Sequence, residues 1–195
     1  MSEPYASLAD LKSYMSIEQD MYDDVLIQAL DSASREIELH CNRQFNKDVT
    51  ASSREFDADN RRWVHVDDFW TPTGLVVETG PGFSVTWATT DYRLRPLNGV
   101  VDGQPGWPFS KLVPSGMGRY RFDRYGVRVT AKWGWVAVPA PVKQACLIMA
   151  AETFQIKDAP FGVAGMDQYG AIRVRDNRMA QTKLRRYCRD PIPVG

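Results

Sequence analysis

The sequence predicts an α+β fold: a helical core of two long packed helices plus short N-terminal and C-terminal helices, carrying an inserted antiparallel β-rich region. Three observations point there. Apolar residues recur at three- and four-residue steps in two separate stretches, Asp20–Cys41 and Val138–Phe154. Between them, from about Lys47 to Val138, short β-branched and aromatic runs are broken by Gly, Pro, Asn and Asp. The length, 195 residues, suits one full core, or a helical core with a second small layer, but not two large domains. The expected organisation is 1–46 as the N-terminal helical part, 47–138 as the β-rich insertion with a long loop at 97–118, and 139–195 as the C-terminal helical part, a Gly-rich segment and an extended tail.

Each element has a local reason. Ser7 followed by Asp10 reads as an N-cap with an acid at its third position, opening a short helix to about Met15. In the first long helix, Asp20, Asp23 and Asp24 occupy the first turns, where negative charge complements the helix dipole. Val25, Leu26, Ala29, Leu30, Ala33, Ile37 and Cys41 form its apolar stripe, and Asn42 suits the left-handed residue that ends a helix. Candidate strands are Ser53–Phe56, Arg62–Val66, Leu75–Glu78, Val85–Ala88, Tyr92–Leu94, Tyr120–Phe122 and Val127–Trp133. Leu97–Gly118 is too rich in Gly and Pro for a sheet interior and is expected to be a loop. Pro141 fits the first turn of the second long helix, with Val142, Ala145, Cys146, Met149, Ala150 and Phe154 on one face. Leu147, Ile148 and Ala151 add a second apolar row, so this helix belongs in a core. Leu26, Leu30, Ile37, Met149 and Phe154 are the expected core anchors. Asp176–Tyr187 then reads as a helix with Met179, Ala180, Leu184 and Tyr187 on one side and Arg178, Lys183, Arg185 and Arg186 on the other.

Composition narrows the function. Lysine plus arginine equals aspartate plus glutamate at 24 each, so no global field draws the chain to nucleic acid or anionic membrane. Three cysteines, Cys41, Cys146 and Cys188, lie far apart and read as reduced thiols, and two histidines make a zinc site improbable. No apolar run approaches a membrane span and no export signal is evident. Gly162, Gly165 and Gly170 lack the Lys-Ser/Thr of a phosphate loop. Asp57, Asp59, Asp67 and Asp68 sit where turns are expected and read as turn chemistry, with a small hydrolase as the rival reading. His65 reads as a solvated strand residue. The six tryptophans allow a carbohydrate-binding β module as the other rival, although core packing explains at least half of them. No catalytic, cofactor-binding or metal residue is assigned, and no enzyme activity is expected.

Two features suggest protein partners instead. Arg173, Arg175, Arg178, Lys183, Arg185, Arg186 and Arg189 make the one marked charge asymmetry, which reads equally as a solvated helix face or as arginines pairing with carboxylates of another subunit. With the extended Pro191, Ile192 and Pro193 they form the expected partner interface, and Trp107 and Phe109 the expected partner loop.

The segments Ala29–Phe45, ending Cys41-Asn42-Arg43-Gln44-Phe45, and Trp133–Ala145, leading through Pro160–Gly165 to an arginine-rich final helix, resemble head-to-tail adaptor (connector) proteins of long-tailed bacteriophages and related gene-transfer particles. With Ser7–Leu11 they cover somewhat over half of the chain; Asn42 stands where that family usually has Gly, a departure a left-handed cap accommodates. The resemblance implies a structural virion protein, a ring of about twelve copies beneath the portal. That ring contacts neighbouring adaptor subunits, the portal protein and a stopper or tail-completion protein. DNA passes through its channel without specific binding and no membrane is involved. The implied location is the virion neck between capsid and tail, with host cytoplasm during assembly.

Overall fold

The computed structural model describes residues 3–58, 62–115, 122, 126–157 and 177–189. The chain forms two compact units, one from residues 1–45 with 138–195, the other from 46–137.

The first unit is helical. Helix α1 (Leu8–Met15) starts at Ser7, whose side chain accepts from the Asp10 amide while the Asp10 carboxylate accepts from the Ser7 amide. A 3-10 turn over Asp20–Tyr22 precedes α2 (Asp23–Cys41), which Asn42 ends in the left-handed conformation at φ 49°. Among the described residues, helix α3 (Ala140–Lys157) and helix α4 (Arg178–Leu184) also belong to it, the latter capped by Asn177. Leu26, Leu30, Ile37, Met149 and Phe154 are buried, with Leu11, Phe45 and Leu184 beside them. Cys146 lies 3.4 Å from Ser34 Oγ, which donates to the Leu30 carbonyl. Tyr5 ties down the N-terminal segment: its amide donates to Ser34 Oγ (3.0 Å), its hydroxyl donates to Glu38 and accepts from the Phe45 amide. The fourth helix is shorter than Asp176–Tyr187; on its apolar side Ala180 and Leu184 are buried while Met179 is 66% exposed.

The second unit is a six-stranded antiparallel sheet: β1 (Ser52–Phe56), β2 (Val64–Thr79), β3 (Val85–Thr86), β4 (Tyr92–Arg95), β5 (Phe109–Pro114) and β6 (Val127–Trp133). The order is β1-β6-β2-β5-β4, with β3 on β2. Strand β6 alternates buried Val127, Val129, Ala131 and Trp133 with half-exposed residues, so one face carries the core. Val64, Val66, Phe69, Val77 and Leu112 complete that layer.

This overturns the expected architecture of a helical core, organised by two long packed helices, with the β region as its appendage. The sheet is a major component with a buried core of its own, and the chain has two cores. Helical periodicity is strong over short windows, whereas a sheet's core appears only when distant strands are paired. Two local readings change for the same reason. Leu97–Gly118 is not loop throughout: β5 lies within it, between β2 and β4, with Leu112 fully buried. Its prolines stand outside or at the end of the strand, Pro108 before it and Pro114 closing it, so the ladder survives them. The expected runs Arg62–Val66, from Val64 on, and Leu75–Glu78 belong to one 16-residue strand, whose register shifts absorb Pro72 and Gly74. Tyr120 and Arg121 lie outside the described residues, and Phe122 is buried, stacked on Trp87 at 4.8 Å.

Candidate functional site

The residues that raised rival chemistry are engaged in structure. Asp67 holds Arg54 at 2.7 Å, and the guanidinium of Arg54 lies 4.6 Å from the Trp133 ring. Asp68 is buried, accepting from Trp135 Nε1 at 3.0 Å, and its backbone carbonyl accepts from Gly134. Asp57 is exposed, and Asp59 lies outside the described residues. His65 is half-buried on β2 opposite Lys111. Among the described residues no group of three or more His, Cys, Asp or Glu is placed to hold a metal ion. Trp87, Trp133 and Trp135 are buried. Trp70 carries the Lys47 ammonium 4.1 Å from its ring centre and Trp63 carries that of Lys111 at 4.2 Å, so a cation already sits over one face of each ring.

An open cleft of about 510 Å³ lies along the N-terminal segment, lined by Pro4, Tyr5, Leu8, Ile27 and Leu30, with Asp10 and Lys143 at its edge. Those two charges satisfy each other at 2.8 Å. Lys143, together with Ser7, holds the Asp10 carboxyl down to about 2. Lys12 is raised by Asp20 and Asp23, in ion pairs that join α1 to the 3-10 turn and to the first residue of α2. Burial, reinforced by Glu38, pushes the Tyr5 hydroxyl far up, so it stays a neutral donor. These shifts belong to helix docking, and no proton-transfer pair emerges from them.

The expected partner residues are distributed differently. Arg178, Arg185 and Arg186 are exposed on and just beyond α4. Arg189 is half-buried, and its amide donates to the Cys41 carbonyl at 2.9 Å, closing the end of α2. Arg173, Arg175, Pro191, Ile192 and Pro193 lie outside the described residues. Trp107 is half-buried, its ring 5.1 Å from Trp135 and its amide donating to the Gly99 carbonyl. Phe109 stands on β5 with its ring 5.5 Å from Phe69, packed against the sheet core. What the sequence reading missed is the outer side of α2 and its approach: Met21 is 76% and Leu39 73% exposed, and Met179 joins them on α4. Met21, Gln28, Ser32 and Leu39 follow seven- and four-residue steps on the side opposite the buried stripe, with polar Gln28 and Ser32 between the two apolar residues.

No protein-family model matches the chain, and neither does any curated protein. Solved structures do. A chain in the neck of an empty gene transfer agent particle, computed with C6 symmetry, matches with a TM-score of 0.58 at 13% identity, over 98% of this chain and 93% of that one. A chain of the native gene transfer agent virion matches at 0.55 and 16% identity, over 100% and 96%. One in the native neck, computed with C12 symmetry, matches at 0.52 and 15%, over 100% and 98%. The resemblance read from the helix-end and Trp133–Ala145 motifs therefore meets an independent likeness in three dimensions: this chain has the fold of proteins from the neck and virion of gene transfer agent particles.

Proposed function

We propose that the chain is a structural virion protein, a head-to-tail adaptor that forms a ring of about twelve copies beneath the portal. It links the portal to stopper or tail-completion proteins and continues the DNA channel without specific binding, serving particle assembly and DNA ejection. Its role is mechanical, with no chemical turnover. It resides in the virion neck, and in the host cytoplasm during assembly. The observation that carries this reading is a match at a TM-score of 0.58 that spans 98% of this chain and 93% of a chain in a particle neck. The exposed Met21, Leu39 and Met179 are consistent with it, since large apolar groups on outer helix faces suit a subunit with neighbours. Arg178, Arg185, Arg186 and Arg189, with Arg173, Arg175 and the Pro191–Pro193 segment, are assigned to the portal or the adjacent subunit, and the Trp107 loop to another neck protein. Phe109 supports that loop from β5. Electron microscopy of the purified protein with its portal tests the reading. Closed rings seated on the portal are expected; a monomer that never associates with portal overturns it.

A further inference from the structure

Cys41, the last residue of α2, is fully buried, and Cys188, in the segment after α4, is half-buried. They are 147 residues apart in sequence, yet their sulfurs stand 3.5 Å apart, in van der Waals contact. The backbone holds them there. The Arg189 amide donates to the Cys41 carbonyl at 2.9 Å, Asn42 Nδ2 donates to the Arg189 carbonyl at 3.2 Å, and the Cys188 amide donates to the Leu184 carbonyl at 3.2 Å. The sulfurs thus start about 1.5 Å beyond disulfide bonding distance. Cys146, the third thiol, is buried elsewhere, against Ser34.

We propose that Cys41 and Cys188 form a dithiol site of oxidative modification, closed into an intrachain disulfide by a low-molecular-weight disulfide such as glutathione disulfide. The more accessible Cys188, as thiolate, attacks one sulfur of the reagent; an S–S bond forms to Cys188 while the reagent's own S–S bond breaks, releasing one small thiol. Cys41 then gives up its proton and attacks the Cys188 sulfur, forming the Cys41–Cys188 bond and releasing the second small thiol. Two protein thiols are oxidised and one small disulfide is reduced to two thiols, so the electrons balance. Burial, and then the neighbouring thiol, push the Cys41 thiol up, so its attack on the Cys188 sulfur goes through a small thiolate fraction and is the slow step. The product fastens the segment after α4 to the end of α2, and the long stretch it closes restricts the unfolded chain. This inference does not depend on the adaptor reading.

The test is peptide mapping of the full-length protein by mass spectrometry under non-reducing conditions, after incubation with glutathione disulfide and blocking of residual thiols with N-ethylmaleimide. The expected result is a linked peptide pair joining residues 41 and 188 within a chain of monomer mobility. It disappears with dithiothreitol, is retained in Cys146→Ala and is absent from Cys188→Ser. The linked protein is expected to melt at a higher temperature than the reduced one. Stable glutathione adducts on Cys188 without the linked pair, linkage through Cys146, or a link found only between chains would each overturn it. Because Cys188 is partly exposed, Cys188→Ser keeps the test usable if Cys41→Ser folds poorly.

Discussion

A Cβ added to Gly134 would stand 1.6 Å from the carbonyl oxygen of Asn46, far inside any non-bonded contact. Gly134 also has a φ of +89°, which L side chains rarely adopt. The two ends of the β unit meet here: Lys47 pairs with Gly134, and the Asp48 amide donates to the Trp133 carbonyl at 2.9 Å. Gly134→Ala should therefore destabilise the protein by about 3 kcal/mol or more, because steric overlap adds to backbone strain. Gly103→Ala, at φ +75° with nothing within 4 Å, is the comparison, with only the conformational cost of about 1–2 kcal/mol. Urea denaturation of the two variants checks the difference.

Phe154 is buried on α3, its ring edge-on to Tyr22 at 5.5 Å. Phe154→Ala removes that contact and leaves a cavity, at a cost of roughly 3–5 kcal/mol. A variant within 1 kcal/mol of wild type, about the cost of a minor surface change, would show that the site collapses around the gap.

The Asp10 carboxyl is depressed from 3.8 to about 2, first by Lys143 and then by Ser7. A group whose folded value lies below its unfolded value contributes stability above the unfolded value and loses it as pH falls through the folded one. The contribution should fade between pH 3.8 and about 2. Thermal melts of wild type and Asp10→Asn across that window should converge at the acid end. The gap at neutral pH should shrink in high salt, because the pair is partly exposed.

If the basic face of α4 docks against a partner, Arg178→Glu combined with Arg185→Glu should weaken co-sedimentation with portal while leaving the melting temperature of the subunit nearly unchanged, as both residues are exposed. Unaltered docking would reassign these arginines to solvent. Deleting residues 190–195 should likewise weaken docking without unfolding the subunit.

The exposed apolar residues on and beside α2 give a separate expectation. Leu39→Asp, at a site 73% exposed, should leave the isolated subunit folded and lower the fraction in rings by size-exclusion chromatography.

The elements readable in the sequence are those whose cause is local. Ser7 with Asp10, the α2 stripe from Leu26 to Cys41, Asn42 as left-handed cap, and β6 with its strict alternation each act within a turn or two of chain, so spacing alone specifies them. The motifs around Cys41 and Trp133 also carried the resemblance, and within the second of them Gly134 sits where backbone approaches backbone. Tertiary structure decided the rest. Phe109–Pro114 becomes a strand because β2 and β4 offer ladders on both sides, a partnership no local window contains. Two runs become one strand because the register can shift around Pro72 and Gly74. Asp10 meets Lys143, and Cys41 meets Cys188, across most of the chain's length. Periodicity reports which face of an element is buried; only folding decides what is on the other side, because pairing and packing energies belong to residues that the chain has to bring together.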